Sequence, residues 1–226
     1  MKVSTDACIQ GAWAADQLRF LSADSPAILD IGTGTGLLTL MMVQALPEAF
    51  YDAVEINEDA YQQAKANFNA SEWYYQLNAL RVSLADFASN SNYHRYDFII
   101  CNPPFFQNHL ESSVKARNDA RHSQSLSKPD LAESISKLIK IDGQFCVIFP
   151  ATEWENWLNI AEKAGLFLQT SLSIKPKPSH NPNRIIGIFK KQKTNIISRN
   201  ELIIYLEDKQ YSIEMKELLK PYYLAF

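Results

Sequence analysis

Short apolar runs alternate with segments of helical length along most of this chain, and this alternation limits the folds open to it. Runs such as 27–32 and 50–56 have the length and composition of buried strands, whereas 153–165 is amphipathic and ends in Gly165, as helices often do. Parallel strands need long crossover connections, which are usually helices. The pattern therefore predicts βαβ units and a mostly parallel sheet of the α/β class.

Six strands and four helices are predicted between residues 27 and 174. In an open α/β sheet, ligands bind outside the carboxyl ends of the strands, so we expect a functional site there. The predicted strands are 27–32, 50–56, 78–86, 96–102, 144–150 and 166–174. The predicted helices are 37–46, 57–71, 128–143 and 153–165, with Asn57 as an N-cap and Gly143 closing the third helix.

The composition indicates a globular protein without a membrane span or a metal site. The chain has 226 residues, 46% of them hydrophobic, and no apolar run reaches the roughly 18 residues of a membrane span. Cys8, Cys101 and Cys146 are widely spaced, form no CxxC motif and are predicted to be buried free thiols. We expect a cytoplasmic protein, since free thiols suit a reducing compartment and no signal-peptide pattern is present. We expect no metal site, since no metal-ligand spacing is present.

The turn after the first predicted strand carries the sequence DIGTGTG, in which Gly32, Gly34 and Gly36 permit positive φ and a close backbone approach to a ligand. A dinucleotide-binding GxGxxG pattern would need a glycine at position 37, where Leu37 stands. Asp30 lies two residues before the first glycine and suits a cationic group better than a pyrophosphate. The ammonium and sulfonium groups of S-adenosylmethionine are both positive.

Two further acids fall at predicted strand ends. Glu55 ends the second strand, where a carboxylate can accept from both hydroxyls of a ribose, and Asp86 ends the third, where it can accept from an adenine amino group. Singly, each is more often a helix cap or a surface acid. Acids in register on three successive strands favour a cofactor site over that structural interpretation.

The fourth predicted strand runs into Asn102-Pro103-Pro104-Phe105, which stiffens the chain where the strand leaves the core. The Asn102 side-chain oxygen and a proline-flanked carbonyl are two acceptors suited to a planar NH2 group. Acceptors that pull on both hydrogens help the nitrogen attack an electrophilic methyl group. Phe105 would stack on a planar guest. The alternative to a binding role is a structural one, in which the prolines end the strand and the phenylalanine packs as an apolar residue.

These motifs together resemble those of class I S-adenosylmethionine-dependent amino-group N-methyltransferases. The resemblance implies a Rossmann-like, doubly wound sheet of seven strands, mostly parallel, with one antiparallel strand near the edge. It implies that the cofactor is held by Asp30, Gly32, Gly34, Gly36, Glu55, Asp86 and Asn102. It also implies that the target nitrogen is presented by Asn102, Pro103, Pro104 and Phe105.

A narrower resemblance covers essentially the whole chain. The stretch K-V-x-T-D-x-x-x-x-G-A-W before the first strand, and the C-terminal strand and helix closing on 222–224, are similar to the tRNA(Val) adenine-N6 methyltransferase family, which modifies the adenine beside the anticodon. This implies a tRNA substrate, Thr5 and Asp6 beside the cofactor, and structural roles for Gly11 and Trp13. In that family a Phe- and Lys-rich segment usually precedes this point, whereas this sequence starts at Met1. If that segment helps to hold tRNA, we expect its absence to affect the affinity for RNA but not the chemistry.

Basic residues are unevenly distributed. The net charge is −3, yet 1–110 holds 5 Lys/Arg against 12 Asp/Glu, whereas 111–226 holds 17 against 13. A solvated lysine-rich surface is one interpretation, and contacts that position RNA through its phosphates are the other. The residues expected to make these contacts are Lys115, Arg117 and Arg121 after the NPPF motif, and Lys175, Lys177 and Arg184 in the Pro-rich loop 175–184.

Other functions stay open on the sequence. Methylation of a protein glutamine amide uses an NPP-aromatic motif, although typically with Tyr in the fourth place and a different segment before the first strand. Amino groups of DNA adenine or ribosomal guanine fit the same chemistry. Leu37 and the NPPF motif disfavour a nicotinamide-dependent oxidoreductase. A non-catalytic RNA-binding module would need neither the three acids nor the acceptor pair.

The domain organisation is expected to be simple. We predict one domain over 1–226, with an N-terminal cofactor-pocket segment (1–25), a cofactor-binding and catalytic core (26–165) and C-terminal strands and a helix (166–226). A monomer is the expected state.

Overall fold

The computed structural model describes residues 4–19, 21, 24–90, 96–103 and 126–224. These residues form one sheet with helices on both faces. The strands are β1 (Ala27–Ile31), β2 (Phe50–Glu55), β3 (Leu77–Arg81), β4 (Tyr96–Cys101), β5 (Ile139–Pro150), β6 (Phe167–Lys175), β7 (Arg184–Lys190) and β8 (Ser198–Ile203). The helices are α1 (Thr5–Leu18), α2 (Leu37–Ala45), α3 (Glu58–Ala70), α4 (Leu84–Ser89), α5 (Lys128–Leu138), α6 (Trp154–Lys163) and α7 (Ile213–Leu219), with a 3-10 turn at Ala151–Glu153.

The strand order in the sheet is β3-β2-β1-β4-β5-β7-β6-β8. Every neighbouring pair is parallel except the two pairs made by β7, which runs antiparallel to β5 and β6. The predicted Rossmann-like, mostly parallel sheet with an antiparallel strand near the edge is confirmed. The described part of the chain has eight strands, not the seven that the resemblance implied, because β8 pairs with β6 and extends that edge.

The core is divided by the sheet into two layers. Neighbouring residues of β4 point to opposite faces, so that Ile100 belongs to the core cluster that includes residues of α1, α2, α3 and α7, whereas Ile99 belongs to the one that includes residues of α4, α5 and α6. Both isoleucines are fully buried, as expected for a central parallel strand covered by helices on each side. The layer that contains Ile100 also includes α2 and α3, the helices next to the turn after β1.

Helix α1 packs closely on α2 through Gly11. A side chain at this position would lie 2.7 Å from the Met41 sulfur, so the absence of a Cβ lets the two helices approach. Trp13, two residues later, is only 8% exposed. The structural roles implied for Gly11 and Trp13 are therefore confirmed.

Two predicted helix ends are confirmed by their capping geometry. The Asn57 side-chain oxygen accepts a hydrogen bond from the Ala60 N–H at 3.0 Å, which caps α3. Gly165 has φ of +76° just after α6, the left-handed conformation that ends many helices.

The predicted strand 78–86 was too long. The strand β3 ends at Arg81, and Ser83 then caps α4 by accepting from the Asp86 N–H at 3.1 Å. A serine followed three residues later by an acid is a helix-start signal, and it overrides the apolar run that suggested a strand. Asp86 consequently lies in the first turn of a helix and not at the end of a strand.

The predicted end of helix 128–143 was also wrong. Helix α5 ends at Leu138, and Gly143 lies inside the 12-residue strand β5. A Cβ on Gly143 would lie 2.9 Å from the Tyr96 carbonyl oxygen, so this glycine permits a close approach between β5 and β4. The glycine serves strand pairing rather than helix termination.

The three cysteines are free and buried, as predicted. Burial raises the pKa of the Cys101 and Cys146 thiols, so these side chains stay protonated and pack as small apolar groups. Among the helices of the described ranges, none is both long and apolar enough to cross a membrane.

Gly187 in β7 offers a test of the packing between the sheet and α6. A Cβ at this position would lie 2.5 Å from the Trp154 ring and 2.9 Å from the Phe189 ring. Because both rings are buried, we expect Gly187→Ala to lower the free energy of unfolding by about 1–3 kcal/mol. Urea unfolding measures this change.

The control for this test is Gly165→Asn. Nothing lies within 4 Å of a Cβ at Gly165, and Asn tolerates the left-handed conformation, so we expect a loss below about 1 kcal/mol. Equal losses in the two variants would contradict the packing described for Gly187.

Candidate active site

The carboxyl ends of three neighbouring strands bring the predicted site residues together. In the register of the sheet, Ile31 at the end of β1 pairs with Val54 of β2 on one side and with Cys101 of β4 on the other. The glycine turn, Glu55 and Asn102 directly follow or end these strands. The strand order reverses between β1 and β4, which is the position of the binding crevice in open α/β sheets.

The glycine turn after β1 has the backbone conformation that its sequence predicts. Gly32, Gly34 and Gly36 have φ of +69°, +60° and +82°. A Cβ on Gly32 would meet no heavy atom within 4 Å, so the space beside this residue is open to a ligand. A Cβ on Gly36 would instead lie 2.4 Å from the Phe68 ring, so this glycine lets the turn pack against α3.

Glu55 is held by two backbone N–H groups. One carboxylate oxygen accepts from Gly34 at 3.0 Å and the other from Asn57 at 2.8 Å. A carboxylate oxygen has a second lone pair, so both oxygens can still accept from a pair of hydroxyl groups. The hydrogen bonds orient Glu55 towards the glycine turn, and its contact with a ribose stays a prediction.

Ile56 is a candidate ligand contact that the sequence pattern did not reveal. It follows Glu55 directly and is 54% exposed, although it is a large apolar residue. An exposed isoleucine at a strand's carboxyl end offers a flat ligand an apolar contact. The only signal in the sequence was an apolar residue one position beyond the predicted acid.

Asp30 is buried, with 1% of its surface exposed. Its Oδ2 accepts from the Thr33 hydroxyl at 2.6 Å and from the Thr39 hydroxyl at 2.7 Å, whereas its Oδ1 has no hydrogen-bond partner in the described part of the chain. Burial raises the pKa of Asp30 to about 6 despite the two hydroxyl donors. A positive ligand group near this carboxylate would stabilise its charged form.

Asp86 has the structural role that the sequence left as an alternative. The Ser83 hydroxyl donates to its carboxylate at 2.6 Å, completing a reciprocal cap at the start of α4. The residue lies five positions after the last residue of β3 rather than at the strand end. Its contact with an adenine amino group stays a prediction.

The acceptor pair predicted at the end of β4 is only partly described. Asn102 is half-buried and follows Cys101, and Pro103 is buried. Pro104 and Phe105 lie outside the described residues, and so do Lys115, Arg117 and Arg121. The roles predicted for them therefore stay predictions.

Thr5 begins α1 and is exposed, while the next residue, Asp6, accepts from Arg184 Nε at 2.8 Å. Arg184 begins β7 opposite Pro150, the last residue of β5. The first turn of α1 therefore lies over the carboxyl edge of the sheet. The direct cofactor contact of Thr5 stays a prediction.

The basic loop 175–184 is less open than the sequence suggested. Lys175 forms an ion pair with Glu201 at 2.8 Å, and Arg184 is paired with Asp6. Lys177 lies in the turn between β6 and β7. Lys175 and Arg184 were expected to contact RNA phosphates, but only 23% and 26% of their side-chain surfaces are exposed.

The arrangement combines binding features for a positive ligand with acceptors for an amino group. A buried carboxylate lies next to a turn with open backbone, a second carboxylate is oriented by that turn, and Asn102 follows the adjacent strand. Across the ranges that the structure describes, no group of His, Cys, Asp or Glu side chains is placed to hold a metal ion.

Comparison with known proteins agrees with this geometry. A family model described as "Methyltransferase small domain" matches residues 17–123. A tRNA1(Val) (adenine(37)-N6)-methyltransferase of Dyadobacter fermentans is 38% identical, covering 100% of this chain and 92% of the relative. The enzyme of the same name from Phocaeicola vulgatus is 39% identical, covering 99% of this chain and 91% of the relative.

The chain belongs to the tRNA1(Val) (adenine(37)-N6)-methyltransferase family.

The fold of this family member is shared by solved methyltransferase structures. A predicted O-methyltransferase from Agrobacterium tumefaciens superimposes with a TM-score of 0.66 at 14% identity, covering 97% of each chain. A TehB-like SAM-dependent methyltransferase from Corynebacterium glutamicum has a TM-score of 0.53 at 14% identity, with 81% of this chain and 88% of that chain covered. At such low identity, these similarities concern the fold alone.

The buried Asp30 makes the stability of this methyltransferase depend on pH. Its pKa is about 6 in the folded protein and close to its ordinary value of about 4 when unfolded. Between these values the folded state binds more protons, so Asp30 lowers the free energy of unfolding as the pH rises from about 4 to about 6, by roughly 3 kcal/mol. Above about pH 6 its contribution is constant.

Urea unfolding of the wild type and of Asp30→Asn across this range tests the assignment. We expect wild-type stability, relative to the variant, to fall between about pH 4 and pH 6 and then level off. Parallel pH profiles for the two proteins would show that Asp30 titrates normally in the folded state.

Proposed function

We propose that this protein transfers a methyl group from S-adenosylmethionine to the N6 amino group of adenine 37 in tRNA1(Val). The observation that carries the proposal is that Asn102, the glycine turn and Glu55 lie at the ends of three neighbouring strands, in a chain that is similar along nearly its whole length to relatives named for this activity. We also propose a cytoplasmic location, since tRNA is found there and free thiols suit a reducing compartment.

The residues around β1 fit S-adenosylmethionine. The unpartnered Oδ1 of Asp30 places negative charge near a ligand with two positive groups, and the space beside Gly32 lets a ligand approach the backbone. Glu55 would accept from the ribose hydroxyls, and Ile56 would contact the adenine ring. The cofactor supplies an electrophilic methyl group bonded to a positive sulfur.

Asn102 and Pro103 would act on the target amino group. The nitrogen lone pair of an adenine NH2 group is delocalised into the ring and therefore weakly nucleophilic. The Asn102 side-chain oxygen and the Pro103 carbonyl would each accept one N–H, which holds the group in place and favours a pyramidal nitrogen. This contribution is positioning and preorganised electrostatics and needs no general base.

The carboxyl edge of the sheet would also face the RNA. Because β6 runs parallel to β5, the turn after Lys175 lies at the same edge as Asn102. Prolines stiffen this turn, so Lys177 can meet a phosphate at a modest cost in conformational entropy. Lys175 and Arg184 would first have to exchange their carboxylate partners for phosphate.

Methyl transfer to unmodified tRNA tests the function. With labelled S-adenosylmethionine, we expect the label in N6-methyladenosine at position 37, resolved by mass spectrometry of nucleosides and of nuclease fragments. Asn102→Ala should lower kcat at least about 100-fold, whereas the Kd for S-adenosylhomocysteine changes by less than about threefold.

The matched control is Asn159→Ala, which changes an exposed asparagine on α6 whose side chain donates to the Glu155 carbonyl of the same helix. It should retain wild-type turnover. Label found in a protein glutamine or in DNA, with none in tRNA, would overturn the proposed substrate. Equal losses of turnover and cofactor affinity in Asn102→Ala would overturn the role of this residue.

The contribution of Lys177 is tested by salt dependence. In Lys177→Ala, the loss of one phosphate contact should weaken tRNA binding for any sequence and reduce the slope of log Kd against log salt by about 1. Lys190 ends β7 at the opposite edge of the sheet, so Lys190→Ala should leave the slope unchanged. If Lys177→Ala behaves like Lys190→Ala, the turn does not contact RNA.

A further inference from the structure

Gln10 is a polar residue in the most buried part of α1. Its exposure is 0%, and its neighbours Ile9, Ala12 and Ala14 are apolar and buried as well. An amide in such surroundings weakens the fold unless its hydrogen bonds are made. A leucine of similar size would fill the same space without this cost, so packing alone does not account for Gln10.

The Gln10 amide makes one strong hydrogen bond, and it reaches the end of β4. Nε2 donates to the Cys101 carbonyl at 2.8 Å, although the two residues are 91 positions apart in the chain. Nε2 lies 3.9 Å from the Cys146 sulfur, which is a weak contact at best. Oε1 is buried and has no partner in the described part of the chain.

The Cys101 carbonyl belongs to the peptide group that leads into Asn102. A peptide group is planar, so holding its oxygen also sets the direction of the Asn102 N–H and the base from which the Asn102 side chain projects. On the other side of Asn102, Pro103 restricts the Asn102 backbone to extended conformations. Asn102 is therefore restrained from both sides, by Gln10 and by Pro103.

We propose that Gln10 is a positioning residue for Asn102, which it holds in the orientation needed to accept from the target amino group. The proposal rests on the proposed function of Asn102. An acceptor that must meet one N–H of a weakly nucleophilic amine tolerates little displacement, because misplacement by about 1 Å can cost a factor of 100 in rate. The loss of stability from the unpaired Gln10 Oε1 is then tolerated because Gln10 orients the site, not because it improves the packing of the core.

A double-mutant cycle separates this role from a purely structural one. Single-turnover rates are measured at saturating cofactor and tRNA for the wild type, Gln10→Leu, Asn102→Ala and the double variant. With Asn102 present, we expect Gln10→Leu to slow methyl transfer about 10–100-fold. In the Asn102→Ala background, we expect the same change to slow it by less than about twofold. The Kd for S-adenosylhomocysteine should change by less than about threefold in every variant.

Ile9→Val is the matched control, because it changes a fully buried neighbour on the same helix without touching the amide. Its rate should stay within about twofold of the wild type. If Gln10→Leu does not fold, Gln10→Met keeps the length of the side chain and also lacks the donor. Rate losses that multiply in the double variant, or a full rate in Gln10→Leu or Gln10→Met, would overturn the proposal.

The same measurements separate this proposal from the proposed function. If the wild type forms no N6-methyladenosine but methylates another amine, the substrate is wrong, and the cycle is run on the accepted amine. A loss in Gln10→Leu that disappears in the Asn102→Ala background then still supports positioning. With N6-methyladenosine formed and the losses multiplying, only the role of Gln10 fails.

Discussion

Parallel pairing of β1 with β2 on one side and with β4 on the other is the constraint on which the site depends. The register pairs Ile31 with both Val54 and Cys101, so three strands end at the same level. The chain leaves β1 in one direction to build β2 and β3 and then returns to build β4, and open α/β sheets form their binding crevice at such a reversal. A shift of one residue in either pairing would turn every side chain of the shifted strand to the other face of the sheet. The site residue at the end of that strand would then no longer lie next to the glycine turn.

Polar groups near this crevice are buried with incomplete hydrogen bonding. Asp30 and Gln10 each have one side-chain oxygen without a partner in the described part of the chain. Both lie close to the ends of the strands that meet at the reversal, Asp30 within β1 and Gln10 through its bond to Cys101. Such groups lower stability, and proteins commonly keep them where function requires a fixed charge or a fixed orientation.

Helix α1 joins two parts of the carboxyl edge that are distant in the sequence. Its first turn is linked to the start of β7 by the ion pair of Asp6 and Arg184, and its middle is linked to the end of β4 by Gln10. Directly after Gln10, Gly11 brings the helix against α2, whose N-terminus follows the glycine turn. The helix thus connects the proposed cofactor, amino-group and RNA contacts mechanically.

Local patterns predicted much of the fold and part of the site. The alternation of apolar runs and helices, the cap at Asn57 and the positive φ of the glycine turn depend on neighbouring residues, and the structure confirms them. Gly143 and Asp86 were misplaced because each has two local interpretations, and strand pairing or capping selects between them. The eighth strand, β8, joins the sheet by pairing with β6, which lies far from it in the sequence.

By itself, the sequence determined which residue types follow each strand and therefore which chemistry the carboxyl edge can perform. The tertiary structure decided which of these residues meet and which are already engaged. In the sequence, Gln10 is a polar residue within the apolar stretch 8–15, and only the packing of α1 against β4 brings it to Cys101. Lys175 and Arg184 read as free cations, and only long-range packing supplies Glu201 and Asp6 as their partners. Contacts between residues far apart in the chain depend on packing, which no short stretch of sequence specifies.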